Sequence, residues 1–115
     1  MKNRREFVLA ESIEWETVAD GVRRQVLAYG PDLMVVRVDF VKGAVGAAHQ
    51  HPHRQVTYVA KGKFEATVGG RREVLAEGDT FFADGNVQHG VMALEDGTLV
   101  DSFTPAREEF IGSRG

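Results

Sequence analysis

The sequence predicts an all-β domain built as a small double-sheet barrel or sandwich. Short runs rich in β-branched and aromatic residues recur along the 115-residue chain, and glycine-containing segments separate them. No window shows sustained helical periodicity before the C-terminal end. Regularly spaced short strands with turn signals between them are typical of β-sandwiches and β-barrels.

Length and composition restrict the fold to one domain and narrow the classes of function. A chain of this size is long enough to bury roughly two-thirds of its unfolded surface. The net charge of -3 is slight, and Lys and Arg are scattered among acids, so we expect small-molecule partners and no nucleic acid. The chain has no cysteine, which fits a reducing compartment. No segment resembles a signal peptide or a membrane span, so we expect a cytoplasmic protein that does not bind membranes.

Residues 1–20 are predicted to be an N-terminal arm, and residues 21–115 are predicted to be the single barrel domain. Apolar residues of the arm are mixed among acids without a clear period, and the arm is expected to pack on the barrel or on a partner subunit. The apolar residues between positions 7 and 18 are hard to bury on a barrel already filled by its own strands, so we expect a homodimer that uses this arm. Trp15 is interpreted as a packing anchor.

The barrel domain begins with the runs 22–29 and 33–41, which a Gly-Pro-Asp turn separates. Alternation in the second run predicts one core-facing side, made of Met34, Val36, Val38 and Phe40. Further strands are predicted at 55–60, 63–68, 71–75, 80–83, 90–94 and 99–104.

Two turns and one helix complete the predicted elements. Gly69 and Gly70 predict a two-residue hairpin, because both central positions can take positive φ without a steric penalty. The segment 95–97, Glu-Asp-Gly, predicts a second hairpin turn. Pro105 is suited to open a short terminal helix over residues 105–111.

The stretch 49–55 carries four potential metal ligands at alternate positions: His49, His51, His53 and Gln55. In an extended chain, alternate side chains leave the same face. His89 is the remaining histidine of the chain, and neutral imidazole is the commonest nitrogen ligand of divalent transition metals. We therefore expect tertiary structure to close one metal site from two distant segments. A ligand role for His53 stays open, because Pro52 interrupts the strand before it.

The spacing resembles the two motifs of the cupin superfamily. The pattern G-x5-H-x-H-x3-(E/Q)-x6-G matches this sequence from Gly43 to Gly62. The second motif runs from Gly78 to His89, and it has Asp84 where the family usually has Pro and Asn86 where it usually has Gly. Both residue types are compatible with a turn. The resemblance implies a small jelly-roll barrel, the cupin double-stranded β-helix.

One divalent transition metal ion, Zn, Ni, Fe, Mn or Co, is the expected cofactor of this motif. Four protein ligands would leave an octahedral ion two positions for water or substrate, as a catalytic site requires. Three imidazoles and an amide oxygen carry no charge, so the ion would keep its full 2+ charge and bind anions well.

The tail 101–110 places Asp101 and Phe103 on one face of a predicted strand, and a turn that carries Arg107 follows. Spacing alone leaves two interpretations. The tail either supplies an acid/base group, an apolar wall and a carboxylate clamp to one pocket, or it is a surface strand with a salt bridge.

Three blocks together resemble the KdgF family of pectin and alginate degradation: the opening at Gly21, the block 49–59 and the tail 101–110. Members of this family are small cupins that convert 4,5-unsaturated monouronates to linear ketonised sugars. The resemblance implies that the metal ligands are His49, His51, Gln55 and His89. It also implies that Asp101, Phe103 and Arg107 contact a small anionic sugar substrate. Two other functions stay open: a cupin dioxygenase acting on a small molecule, and a non-catalytic sugar-binding or metal-binding module.

Overall fold

The computed structural model describes residues 6–111 and shows two antiparallel sheets packed face to face. The larger sheet has six strands in the order β1-β2-β3-β10-β5-β8, and the smaller sheet has four in the order β4-β9-β6-β7. The strands are β1 Glu16–Ala19, β2 Val22–Gly30, β3 Leu33–Phe40, β4 Val45–His49, β5 Arg54–Lys61, β6 Lys63–Val68, β7 Arg71–Ala76, β8 Thr80–Ala83, β9 His89–Ala93 and β10 Gly97–Thr104. The all-β prediction is confirmed, and the arrangement is that of a jelly roll.

Every strand predicted from β-branched and aromatic runs is present, with its ends shifted by at most two residues. Strands β1 and β4 were not predicted. Strand β4 has the sequence Val-Gly-Ala-Ala-His, so it lacks the β-branched run that identifies the other strands, and its pairing with β9 is what makes it a strand.

One of the two predicted hairpins is confirmed and the other is wrong. Gly69 and Gly70 have φ values of 57° and 82°, and they join β6 directly to β7, with Val68 opposite Arg71. The segment 95–97 does not form a hairpin, because β9 lies in the smaller sheet and β10 in the larger one. This segment carries the chain across from one sheet to the other.

The apolar core has two parts, one between the two sheets and one between the larger sheet and the C-terminal segment. In the first, Phe40 of the larger sheet meets Phe64 of the smaller sheet edge to face, with 5.2 Å between ring centroids. In the second, Met34 and Val36 pack with Phe103 and with Ile111 from the C-terminal segment. The predicted inward side of β3 is confirmed. Truncation of such fully buried residues to alanine typically costs about 2–5 kcal/mol, so both clusters hold the inner faces of the sheets in place.

At both ends of the described range 6–111, short irregular segments pack on the larger sheet. Buried Gln25 of β2 donates through Nε2 to the carbonyls of Ala10 and Ile13, at 2.9 and 2.8 Å. Trp15 stacks under the Arg23 guanidinium, 3.9 Å from the ring centroid. The predicted terminal helix is only one 3₁₀ turn, Glu108–Phe110, because Arg107 before it is extended. None of the helical segments within residues 6–111 has the length and apolarity to cross a membrane.

Candidate metal centre and substrate pocket

Three histidines converge at one end of the space between the sheets. His49 ends β4, His89 begins β9, and His51 lies in the loop that leads to β5. One ring nitrogen of each lies within 4.8 Å of the others. The four alternating residues do not share one strand face as predicted, because the chain bends at Pro52 and passes from the smaller sheet to the larger one. His53 lies outside the converging group.

Hydrogen bonds fix the tautomer of each converging ring. The Nδ1 atom of each ring lies 2.9–3.0 Å from a backbone carbonyl oxygen, which can only accept a hydrogen bond. Nδ1 therefore carries the proton, and Nε2 of a neutral ring presents a lone pair. The pairs are His49 with Ala47, His51 with His53, and His89 with Val87.

Gln55 completes a set of four donor atoms. Its Oε1 lies 3.1 Å from Nε2 of His51 and 3.0 Å from Nε2 of His89. When both rings are neutral, no hydrogen atom lies between Oε1 of Gln55 and either Nε2 atom. Burial lowers the pKa of both His51 and His89, and the positive charge of Arg107 lowers it further, so the charged rings are disfavoured. A cation among the lone pairs removes the repulsion. The donor set therefore fits a divalent transition metal.

The loop between β8 and β9 ties the two ligand segments together. Asn86 adopts a left-handed φ of 62°, and its backbone N–H donates to the backbone carbonyl of His51 at 2.7 Å. Gly85 packs so closely that a Cβ there would lie 2.8 Å from the carbonyl oxygen of Pro52. Asp84 accepts from the amide of Gly85 at 2.8 Å. The residues that depart from the usual cupin motif thus still make the turn that positions His89.

The paired strands β5 and β10 place two further polar side chains, Thr57 and Asp101, next to Gln55. Gln55 lies opposite Phe103, and Thr57 lies opposite Asp101. The Gln55 amide donates through Nε2 to the Thr57 hydroxyl at 2.8 Å. The hydroxyl donates in turn to Oδ1 of Asp101 at 2.7 Å. A short chain of hydrogen bonds therefore links the candidate metal site, through Gln55, to the carboxylate of Asp101.

A cavity of about 190 Å³ lies beside this chain. Six predicted site residues line it: His49, Gln55, His89, Asp101, Phe103 and Arg107. His51 is buried next to it, with its ring centroid 5.2 Å from that of His49. The tail therefore faces a pocket, as one of its two interpretations predicted.

Arg107 from the segment after β10 also lines the pocket. Its guanidinium packs over Phe103 and Phe110, at 5.1 and 4.3 Å from the ring centroids. Nε donates to the Glu109 carboxylate at 2.7 Å, and the side chain is only 12% exposed. These contacts fix the fork of the guanidinium in a largely buried position.

Residues 36–100 match the model of the cupin domain family. The chain is 40% identical over 109 residues to the pectin degradation protein KdgF of Dickeya dadantii (strain 3937), covering 93% of this chain and 99% of the relative. The chain is a cupin of the KdgF family. The solved structure of KdgF from Halomonas sp. superimposes with a TM-score of 0.88 at 40% identity, over 92% of this chain and 98% of that one. An RmlC-like cupin from Shewanella frigidimarina NCIMB 400 gives 0.91 at 42% identity, over 96% and 99% of the two chains.

In this KdgF-family cupin the carboxylate of the pocket is suited to exchange protons near neutrality. Burial raises the pKa of Asp101 to about 6, against the opposing effects of the Thr57 hydrogen bond, the Arg107 charge and the Gln55 amide. A group with a pKa close to the working pH can both give and take a proton.

Sequence reasoning missed two polar residues of the pocket region, Thr57 and Arg24. Arg24 of β2 lines the cavity, and its guanidinium lies 3.8 Å from the ring centroid of Phe110. Its Nε donates to Glu16 of β1 at 2.8 Å. Arg24 lies at an alternate position between Val22 and Val26 of β2, which are buried. An arginine on the apolar face of a predicted strand could therefore have indicated a pocket residue. Thr57 alternates in the same way with Gln55 and Val59 on β5.

Proposed function

We propose that this protein converts 4,5-unsaturated monouronates, as released by pectin or alginate lyases, to linear ketonised sugars. The observation that carries the proposal is the convergence, at one small cavity, of a neutral metal-ligand set and a carboxylate of raised pKa. His49, His51, Gln55 and His89 would hold one divalent transition metal ion, and Asp101, Phe103 and Arg107 would contact the substrate. The relationship to a pectin degradation protein supports the same substrate class.

The pocket fits one small anion. Its volume of about 190 Å³ lies below the roughly 300–1,000 Å³ typical of sites for drug-sized ligands, so we expect a single sugar ring and not an oligosaccharide. Arg24 and Arg107 both line it, and the proposed ligands carry no negative charge. Planar guanidinium groups bind carboxylates with two parallel hydrogen bonds. A uronate carboxylate is the group that this charge pattern favours.

The reaction is an isomerisation with no net oxidation. In the cyclic substrate the C1 hydroxyl loses its proton as the bond from C1 to the ring oxygen breaks, and the ring oxygen gains a proton. This gives an aldehyde at C1 and an enol at C5. The enol then loses its hydroxyl proton while C4 gains one, which gives a ketone beside the carboxylate. Asp101 would carry these protons. Phe103 would shield the sugar ring from water, and Arg107 would bind the carboxylate. A divalent ion held by the four proposed ligands would supply Lewis-acid stabilisation of the negative charge.

The direct test follows the ultraviolet absorbance of the conjugated alkene in lyase-generated monouronate. The metal-loaded protein should speed the loss of this absorbance above the spontaneous rate, with equal rates in air and under anaerobic conditions. An absolute requirement for dioxygen would support the dioxygenase function instead. Saturable binding of the sugar without any acceleration would support a binding module.

The arm carries a second proposal, that the protein is a homodimer. The side chains of Phe7 and Leu9 are 87% and 66% exposed in the single chain, and a partner subunit would bury them. Light scattering at micromolar concentration should give twice the chain mass, and a monomer mass with the arm intact would contradict it. A cytoplasmic location stays a prediction from the sequence.

A further inference from the structure

Thr57 sits between the metal centre and Asp101 without belonging to either. It is fully buried on β5, and its hydroxyl meets Nε2 of Gln55 at 2.8 Å and Oδ1 of Asp101 at 2.7 Å. A hydroxyl has one proton to donate and two lone pairs. Buried polar groups are costly when a partner is lost, so both contacts constrain their neighbours.

The donor-to-acceptor direction of the hydrogen bonds from Gln55 through Thr57 to Asp101 follows from the groups at the two ends of this series. A metal ion at the histidines requires the oxygen of the Gln55 amide, which turns the NH₂ group toward Thr57. The NH₂ group can only donate, so the hydroxyl accepts from it and gives its single proton to Asp101. Oδ1 of Asp101 is thereby an acceptor.

If the Gln55 side-chain amide were rotated so that its oxygen and nitrogen exchanged places, the direction of these hydrogen bonds would be reversed. The NH₂ group would donate to the lone pairs of His51 and His89, and Oε1 would accept from Thr57. The hydroxyl then has no proton left for Asp101, whose carboxylate would face an oxygen lone pair at 2.7 Å unless it carried a proton on Oδ1. The chain therefore has two consistent directions, and a bound metal selects one of them.

We propose that Thr57 is a positioning residue that holds the Gln55 side-chain amide with its oxygen toward the metal site. The inference concerns metal affinity alone. It can therefore be tested without substrate, so its failure is distinguishable from failure of the proposed reaction.

The experiment is a Co²⁺ titration of the full chain, stripped of metal and placed in competition with a chromophoric chelator. Thr57→Val keeps the shape and removes both hydrogen bonds, so it should weaken Co²⁺ binding about 10–100-fold, the usual cost of losing a group that orients a ligand. Thr57→Ser restores the hydroxyl and should recover most of the affinity. Thr98→Val is the matched control, because it removes a Thr–Asp hydrogen bond of 2.8 Å to Asp39 that lies outside the pocket.

A double-mutant cycle with Gln55→Ala separates positioning from general structural support. Once the amide is gone there is nothing for Thr57 to orient, so adding Thr57→Val to Gln55→Ala should cost little further affinity. Wild-type Co²⁺ affinity in Thr57→Val, or a cost that is equally large with and without Gln55, would overturn the proposal. If Thr57→Val fails to fold, Thr57→Ala gives the same readout. A wild-type chain that binds no Co²⁺ would overturn the proposal together with the metal site.

Discussion

The larger sheet carries the same residue pair on its two faces, in two different environments. On the inner face Thr57 donates to Asp101 at 2.7 Å, and on the outer face Thr98 donates to Asp39 at 2.8 Å. Asp39 is also paired with the Arg37 guanidinium, 3.1 Å away. Asp101 instead faces the cavity, where burial raises its pKa to about 6.

The environment, and not the hydrogen-bonded pair, distinguishes the two carboxylates. Partly exposed ion pairs such as those of Asp39 are worth about 0–1 kcal/mol each. The inner carboxylate is desolvated and linked through Thr57 to Gln55, the proposed metal ligand. Each of the following changes tests this contrast between the faces.

The largest effect should come from removing the metal centre of the inner face. His51→Ala or His89→Ala deletes a ligand that no neighbour replaces, so purified protein should lose its metal and its activity. His53→Ala is the matched control. The His53 ring lies 5.5 Å from the His51 ring but outside the converging group, and the substitution keeps the backbone carbonyl that accepts from Nδ1 of His51. Metal analysis of the three variants checks this. Equal metal content in all three would contradict the ligand assignment.

The next effect contrasts the two carboxylates directly. Asp101→Asn keeps the shape and loses the exchangeable proton, so kcat should fall by roughly 10²-fold or more with metal content and KM little changed. Asp39→Asn should leave kcat at the wild-type value. Steady-state kinetics on an unsaturated monouronate decides it. Wild-type turnover by Asp101→Asn would make Asp101 a structural residue.

The raised pKa of Asp101 also predicts a pH-dependent stability of the metal-free protein. A carboxyl whose pKa rises on folding from 3.8 to about 6 stabilises the folded state below pH 4 relative to neutral pH, and this contribution is lost as the pH rises through 6. Asp101→Asn should therefore be more stable than wild type at pH 7.5, by on the order of 2–3 kcal/mol. The gain should become small at pH 3, where the Asp101 carboxyl is mostly protonated in both the folded and the unfolded state. Urea unfolding in chelator at the two pH values measures this, and a gain of equal size at both would refute it.

The smallest effect concerns the arginines of the pocket. Arg107→Lys keeps the charge but loses the planar fork, so KM should rise about tenfold, the value of one charge-assisted hydrogen bond, with a smaller change in kcat. Arg37→Lys on the outer face should change neither parameter. A fall in kcat at constant KM in Arg107→Lys would assign Arg107 to the transition state and not to substrate binding.

The features predictable from sequence were those encoded locally. Alternation identified the inward side of β3, and two adjacent glycines identified the β6–β7 hairpin. Motif spacing identified three histidines and Gln55, which the structure brings together. Each of these signals depends on residues close together in the chain, so no knowledge of strand partners was needed.

The features missed were those that depend on which strands pair. The segment 95–97 has hairpin chemistry, but it joins strands of different sheets because β10 pairs with β3 and β5. Likewise His49 and Gln55 belong to different sheets, so alternation could not describe their geometry. The role of Thr57 depends on Asp101, which is opposite it on β10 and far away in sequence. A threonine in a strand has no local signal for such a partner.

Metal add-back to stripped protein tests the central claim most directly, that the metal centre and Asp101 act together on an unsaturated monouronate. Stripped protein should show no acceleration over the spontaneous reaction. Activity should return in proportion to bound divalent metal, up to one ion per chain, equally in air and without oxygen. Turnover by stripped protein at the rate of the loaded form would contradict the account, and so would restored activity that appears only with dioxygen.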